Sequence, residues 1–220
     1  MNNIQSVKRE IEGIIRILIE SNMSVNQNYP VIISNGLQKK IEWSPMTNLS
    51  ISLKNLDYDI IYSEVDKNRD YTMKLIDGNL IQMLYTFEND ELVSHRLAMF
   101  PSPKLELFQE QPDIYENDEL YGDIIERRIV PFPIRFDYNK DEIVSNKNHP
   151  KSHVTLGQYT DCRIPAYGPI SPTIFMDFIL ENFYNTYYIS SYLSSKINPK
   201  CANVQTITEE EQRKLHFNLV

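Results

Sequence analysis

Residues 70–100 leave this chain few architectures. Asp77-Gly78 is a strong two-residue hairpin signal, because such a turn needs positive φ and these residues tolerate it. It joins a strand over 70–76 to one over 79–87, where Ile81, Met83, Tyr85 and Phe87 share a face by the two-residue strand period. A polar turn over 88–91 then leads into a third strand over 92–100. The expectation is a three-stranded antiparallel meander, with His95 beside Leu97 and Met99 as a half-buried structural histidine.

Other elements attach to this meander. Ile4, Val7, Ile11, Ile14, Ile15 and Leu18 recur at three- and four-residue steps, which predicts an amphipathic, core-covering helix. The Asn-rich residues 22–28 end it. Strands are expected over 29–34 and 40–43 around Asn35-Gly36, with Trp43 and Pro45 as a corner, and over 58–65 before a polar turn. Residues 101–128 carry three basic and eight acidic residues and read either as a boundary between two lobes or as a surface loop, with a short helix over 120–128. A strand over 129–138 begins at an edge or bulge because of Pro131 and Pro133. Short strand-like segments follow over 154–158 and 162–165.

Ser171-Pro172 supplies an N-cap and a first-turn proline for a long helix to about residue 195, with Phe175, Phe178, Phe183 and Tyr184 along it. Tyr184, Tyr187, Tyr188 and Tyr192 could stack on bases, but their spacing suits core packing or a protein interface. Thr208 and Glu211 form a capping-box pattern for a last helix to about residue 217. The predicted fold is α+β, a single domain over 1–220. It consists of a curved antiparallel sheet with the N-terminal amphipathic helix and a long C-terminal helix packed on it.

Charge narrows the partners. The formal net charge is −8 over 220 residues, so the bulk surface repels polyphosphate at long range. Residues 131–170 depart from this, with five basic residues, four acidic ones and two histidines. The two cysteines, Cys162 and Cys201, form no CxxC pair, which argues against a thiolate zinc site and suits a reducing cytoplasm. Charges at Lys8, Arg9, Glu10, Glu12 and Arg16 interrupt any leader-like apolar core, and no run is long enough to span a membrane. A cytoplasmic protein without membrane contact is expected.

The side chains able to do chemistry crowd into residues 132–163. Arg135 and Asp137, two apart on a strand, point to one face. Together they are either an anion-recognising Arg with an Asp that binds a metal or orients a base, or a salt bridge on a sheet face. His149-Pro150-Lys151-Ser152-His153 places its rings about 13 Å apart if extended, too far to share a metal unless the loop bends. His153 at the strand start suits acid–base work or a buried structural role, while His149 caps the loop. Gln158 and Arg163 flank the next turn. Cys162 reads as a core thiol rather than a nucleophile, since strand neighbours point oppositely. A diffuse nuclease site from Glu64, Asp66 and Lys67 is conceivable, but the same residues fit a solvated turn. No phosphate loop, nucleophile elbow or dinucleotide fingerprint occurs, and no cofactor is indicated.

The blocks Arg-Phe-Asp at 135–137, His-Pro-Lys-Ser-His-Val-Thr-Leu-Gly-Gln at 149–158, Cys-Arg-Ile-Pro at 162–165 and Phe-Met-Asp-Phe-Ile-Leu-Glu-Asn-Phe-Tyr at 175–184 resemble the bacterial family catalogued as domain of unknown function 2290. Leu-Ala-Met-Phe-Pro-Ser at 97–102 is similar too. The resemblance implies a place beside helicases in anti-phage defence loci, and no particular activity. Two functions then fit. In one, the protein acts on nucleic acid with a helicase-type partner, as a nuclease-like effector. There Arg135 and Arg163 contact phosphate, His153, oriented by Asp137 and with His149 beside it, serves as an acid–base group or a metal ligand, and Gln158 supports them. In the other it is a non-enzymatic adaptor or inhibitor, and the same residues are a structural network.

Overall fold

The computed structural model describes residues 3–43, 56–103, 132–142, 149–159, 161–191, 193–199 and 204–218. The expectations for Pro45, residues 104–131, Tyr192 and Cys201 fall outside them.

The first helix, α1 (Ile4–Glu20), is capped by the Asn3 side chain, which accepts from the Ser6 amide at 3.0 Å, and buries all six residues of its apolar stripe. Strand β1 (Ser24–Gln27) follows, then the hairpin β2 (Val31–Asn35) and β3 (Gln38–Glu42) across Asn35-Gly36. The meander is present as β4 (Met73–Leu75), β5 (Leu80–Glu88) and β6 (Glu91–Phe100). It continues through β7 (Ile134–Asn139), β8 (Ser152–Leu156) and β9 (Ile164–Pro165). All pairings are antiparallel, in the order β1-β4-β5-β6-β7-β8-β9, while β3 shares the β4 edge of β5 by pairing with its second half.

Alternation along these strands divides the sheet into two faces. Ile81, Met83, Tyr85, Leu97, Met99, Ile134, Phe136 and Val154 form the main core with α1 and with helix α3 (Pro172–Phe183). Glu10 on α1 accepts from the Thr173 amide at 2.9 Å, so one helix caps the start of the other. Among the described residues the opposite face is covered at one end, where helix α2 (Tyr58–Lys67) lays Ile61, Tyr62 and Val65 over Leu80, Ala98 and Phe100.

Several elements differ from expectation. Residues 58–65 are helical, since Ile61, Tyr62 and Val65 make an i, i+1, i+4 stripe that buries one helix face. Glu64, Asp66 and Lys67 therefore lie on α2 rather than in a turn, and Asp66 pairs with Lys74 at 2.8 Å. The Asn-rich residues after α1 include β1, which pairs with β4. The Asp77-Gly78 hairpin is wider than two residues. The Leu75 amide reaches the Asn79 carbonyl at 2.8 Å, and Ile76 leaves the ladder to donate to Met23 at 2.9 Å.

The long C-terminal helix is broken into α3, α4 (Asn185–Ser190) and α5 (Leu193–Lys196). The break is Tyr184, at φ −137° and ψ 36°, whose hydroxyl donates to Asp77 Oδ2 at 2.8 Å and accepts from Asn79 Nδ2 at 2.7 Å. Around it, Asn182 and Asn185 bond carbonyls four residues back, a weak-helix signature. The last helix, α6 (Glu209–Gln212), has the expected capping box but stops well short of Phe217, which instead bridges to Ala166.

Gly78 sits at φ +85°, where an added Cβ would meet Ser102 Cβ at 3.0 Å and the Tyr62 hydroxyl at 3.2 Å. Gly78→Ala is expected to lower stability by about 1–2 kcal/mol, the cost of left-handed backbone for an L-residue. An unchanged urea midpoint would count against this turn geometry.

Candidate active-site cleft

On the second sheet face beyond α2, the register assembles a polar row. Leu84 pairs with Arg96, Arg96 with Asp137, and Asp137 with His153, so one residue from each of four adjacent strands points the same way. The next row toward α2 contains Ala98, Arg135 and Thr155. Apart from Ala98, which α2 covers, these residues floor a cleft of about 770 Å³, within the usual size of small-ligand sites. Arg135, Asp137, His149, His153, Gln158 and Arg163 all line it.

Asp137 holds the floor together. Its Oδ1 accepts from Arg96 Nε at 3.1 Å, while Oδ2 lies 3.8 Å from Arg135 Nε and 4.0 Å from His153 Nε2. Arg135 Nε is buried and has no hydrogen-bond partner among the described residues. Its guanidinium is pushed below the ordinary arginine range by burial, against the opposing pull of Asp137 and with added repulsion from Arg96 and Arg163. Among the described residues Arg163 has no ion-pair partner. Among the described residues the lining carries four cations (Arg96, Arg135, Lys151, Arg163) and two carboxylates (Asp137, Glu142), a local excess of +2. On a chain of formal charge −8, that is the property of an anion site.

The histidines are set by backbone and by Glu142. His153 Nδ1 is 3.0 Å from the Pro150 carbonyl, which can only accept, so the ring is oriented by that carbonyl and its Nε2 faces Asp137. Burial lowers the His153 pKa most, with Asp137 and the carbonyl opposing, and His149 and Arg163 adding to the depression. A neutral His153 therefore presents an unprotonated Nε2. Strand β8 begins only at Ser152, so residues 149–151 bend rather than extend. The two imidazoles consequently stand 5.1 Å apart between centroids. His149 Nδ1 lies 2.5 Å from Glu142 Oε1.

The turn after β8 supplies the rim. Gly157, at φ +65°, donates to the Pro133 carbonyl at 2.7 Å, and Gln158 Nε2 donates to the Leu56 carbonyl at 2.7 Å. Cys162 is half-buried in a non-strand segment, so the alternation expected of it does not apply. Arg96 and Glu142 escaped the sequence reading. Arg96 had a signal: it shares strand parity with Ala98 and Phe100, opposite His95, Leu97 and Met99. Glu142 had none, because its position depends on the bend that brings His149 to it. Among the described residues, no group of three or more His, Cys, Asp or Glu side chains is placed to hold a metal.

His95 lies beneath the cleft, only 6% exposed, between the rings of Tyr85 and Tyr138. Its Nε2 accepts from the Ile170 amide at 3.1 Å, which fixes the proton on Nδ1 and the ring as neutral. Burial depresses its pKa from 6.5 to about 4. Between those values the unfolded chain binds the extra proton, so stability falls as pH falls, by about 3 kcal/mol in all. His95→Gln should lose that share of the pH dependence; an identical slope between pH 6.5 and about 4 in both proteins would remove His95 as its source.

A family model described as "Uncharacterized conserved protein (DUF2290)" matches residues 23–219. No curated protein and no solved structure matches the chain. Among the described residues no helix is long and apolar enough to cross a membrane.

Proposed function

We propose, on the premise that this chain belongs to the DUF2290 family of uncharacterized conserved proteins, that it is a cytosolic, nuclease-like effector acting on nucleic acid with a helicase-type partner in bacterial defence. The observation that carries the nucleic-acid half is the under-paired Arg135 and Arg163 beside an unprotonated His153 Nε2, in a cleft more positive than the rest of the chain. Arginines short of carboxylate partners bind phosphate well, because their forked donors match its oxygens. The partner half rests on the defence-locus setting that the family resemblance implies.

Arg163→Ala should weaken binding of labelled single-stranded DNA and RNA and lower the salt-dependence slope by about one, as expected for one lost phosphate contact. Anisotropy titrations across a salt series, with and without the neighbouring helicase, read this. Binding unchanged in both strength and slope would remove Arg163 as a phosphate contact.

A second reading has support in the Asp137 contacts. With Arg96 and Arg135 both drawn to it, the row can serve as a structural network in an adaptor or inhibitor subunit. Absence of nucleic-acid binding and cleavage in every combination would favour this reading.

A further inference from the structure

We infer that the cleft cleaves RNA through the substrate's own 2′-hydroxyl, with His153 as the base and His149 as the acid. The inference rests on the phosphate-binding reading of the cleft and adds to it the substrate class and the chemistry.

The two rings are close enough to serve one phosphodiester, and their Nδ1 atoms have different occupations. His153 Nδ1 donates to the Pro150 carbonyl at 3.0 Å, leaving Nε2 as a lone-pair acceptor inside the cleft. His149 Nδ1 lies 2.5 Å from a Glu142 oxygen, so a carboxylate orients this ring through Nδ1 and leaves its Nε2 for a leaving group. One ring is thus arranged to take a proton and its neighbour to give one, which is how paired titratable groups divide acid and base roles. The ring centroids are 5.1 Å apart.

The step balances without an added co-reactant. The 2′-hydroxyl gives its proton to His153 Nε2 as its oxygen bonds to phosphorus. The bond from phosphorus to the 5′-oxygen breaks, and that oxygen takes the proton from His149 Nε2. The products are a 2′,3′-cyclic phosphate and a 5′-hydroxyl. Arg135 and Arg163 face the charge gathering on the non-bridging oxygens. DNA lacks the nucleophile, so the 2′-hydroxyl becomes the discriminating group.

The test incubates the full chain, in the presence of EDTA, with end-labelled single-stranded RNA. The same RNA carrying one 2′-deoxynucleotide and DNA of the same sequence run beside it. Expected are RNA fragments ending in cyclic phosphate, no cut at the deoxy position, and intact DNA. His149→Gln and His153→Gln should each lower the rate by about a hundredfold or more, with thermal unfolding showing that both variants fold. Imidazole added to His153→Ala should restore part of the rate. Equal cleavage of DNA, 5′-phosphate product ends, or full activity in either folded glutamine variant would overturn the inference. RNA bound in an Arg163-dependent manner but never cut would overturn it too, while leaving the phosphate-binding reading in place. Loss of Arg163-dependent binding itself would remove both.

Discussion

His153→Ala is expected to lower nucleic-acid cleavage by about a hundred- to ten-thousandfold, the range over which a positioned acid–base group contributes. The ring is 8% exposed, is oriented through Nδ1 by the Pro150 carbonyl, and holds Nε2 4.0 Å from Asp137 Oδ2. Its replacement therefore removes the base without disturbing the Arg96–Asp137 contact, which lies on the neighbouring strands. Binding should persist, since Arg135 and Arg163 remain. Steady-state and single-turnover rates on labelled substrate separate the two effects: the rate should collapse while affinity holds. A variant that cuts at the original rate would take His153 out of the mechanism.

Phe136→Ala is expected to cost about 3–5 kcal/mol of stability, the usual range for truncating a buried aromatic ring. Phe136 lies between Arg135 and Asp137 in sequence and so points to the opposite face of β7. There it meets Phe175, Phe178 and Phe217 edge-on, with centroids 5.8, 5.3 and 6.0 Å away. That one ring ties the strand carrying the cleft floor to α3 and to the C-terminal segment. Urea unfolding should show the full loss, and nucleic-acid binding should weaken with it as β7 loosens. A loss under about 1 kcal/mol would mean that the core collapses around the gap more easily than close packing allows.

How much of this could be read from the sequence follows from how local each determinant is. α1 was legible because its stripe repeats six times, and the capping box because Thr208 and Glu211 bond each other. The meander was legible through alternation, although its first turn was not. Ile76 is diverted to Met23, a contact spanning 53 residues that leaves no local trace. α2 was misread because Ile60, Ile61, Tyr62 and Val65 are strand-favouring residues, and the burial that makes them helical comes from a sheet face formed elsewhere. The break at Tyr184 depends on hydroxyl contacts to Asp77 and Asn79 across more than a hundred residues.

The cleft divides in the same way. Arg135 with Asp137 followed from strand parity alone. The approach of His149 to His153 did not, because it hinges on β8 starting at Ser152 rather than three residues earlier. Arg96 reaches Asp137 only through the register of β6 on β7, and pairing register between distant strands is not written in either strand.

The most direct measurement follows the imidazole resonances of the four histidines by NMR as a non-cleavable, fully 2′-deoxy oligonucleotide is titrated in. On the proposed reading, phosphate held by Arg135 and Arg163 would lie against both cleft imidazoles, so His149 and His153 should shift together and saturate at one affinity. His216, half-buried and not among the cleft-lining residues, should stay in place. Saturable binding that leaves the His149 and His153 signals unmoved would contradict the cleft as the nucleic-acid site.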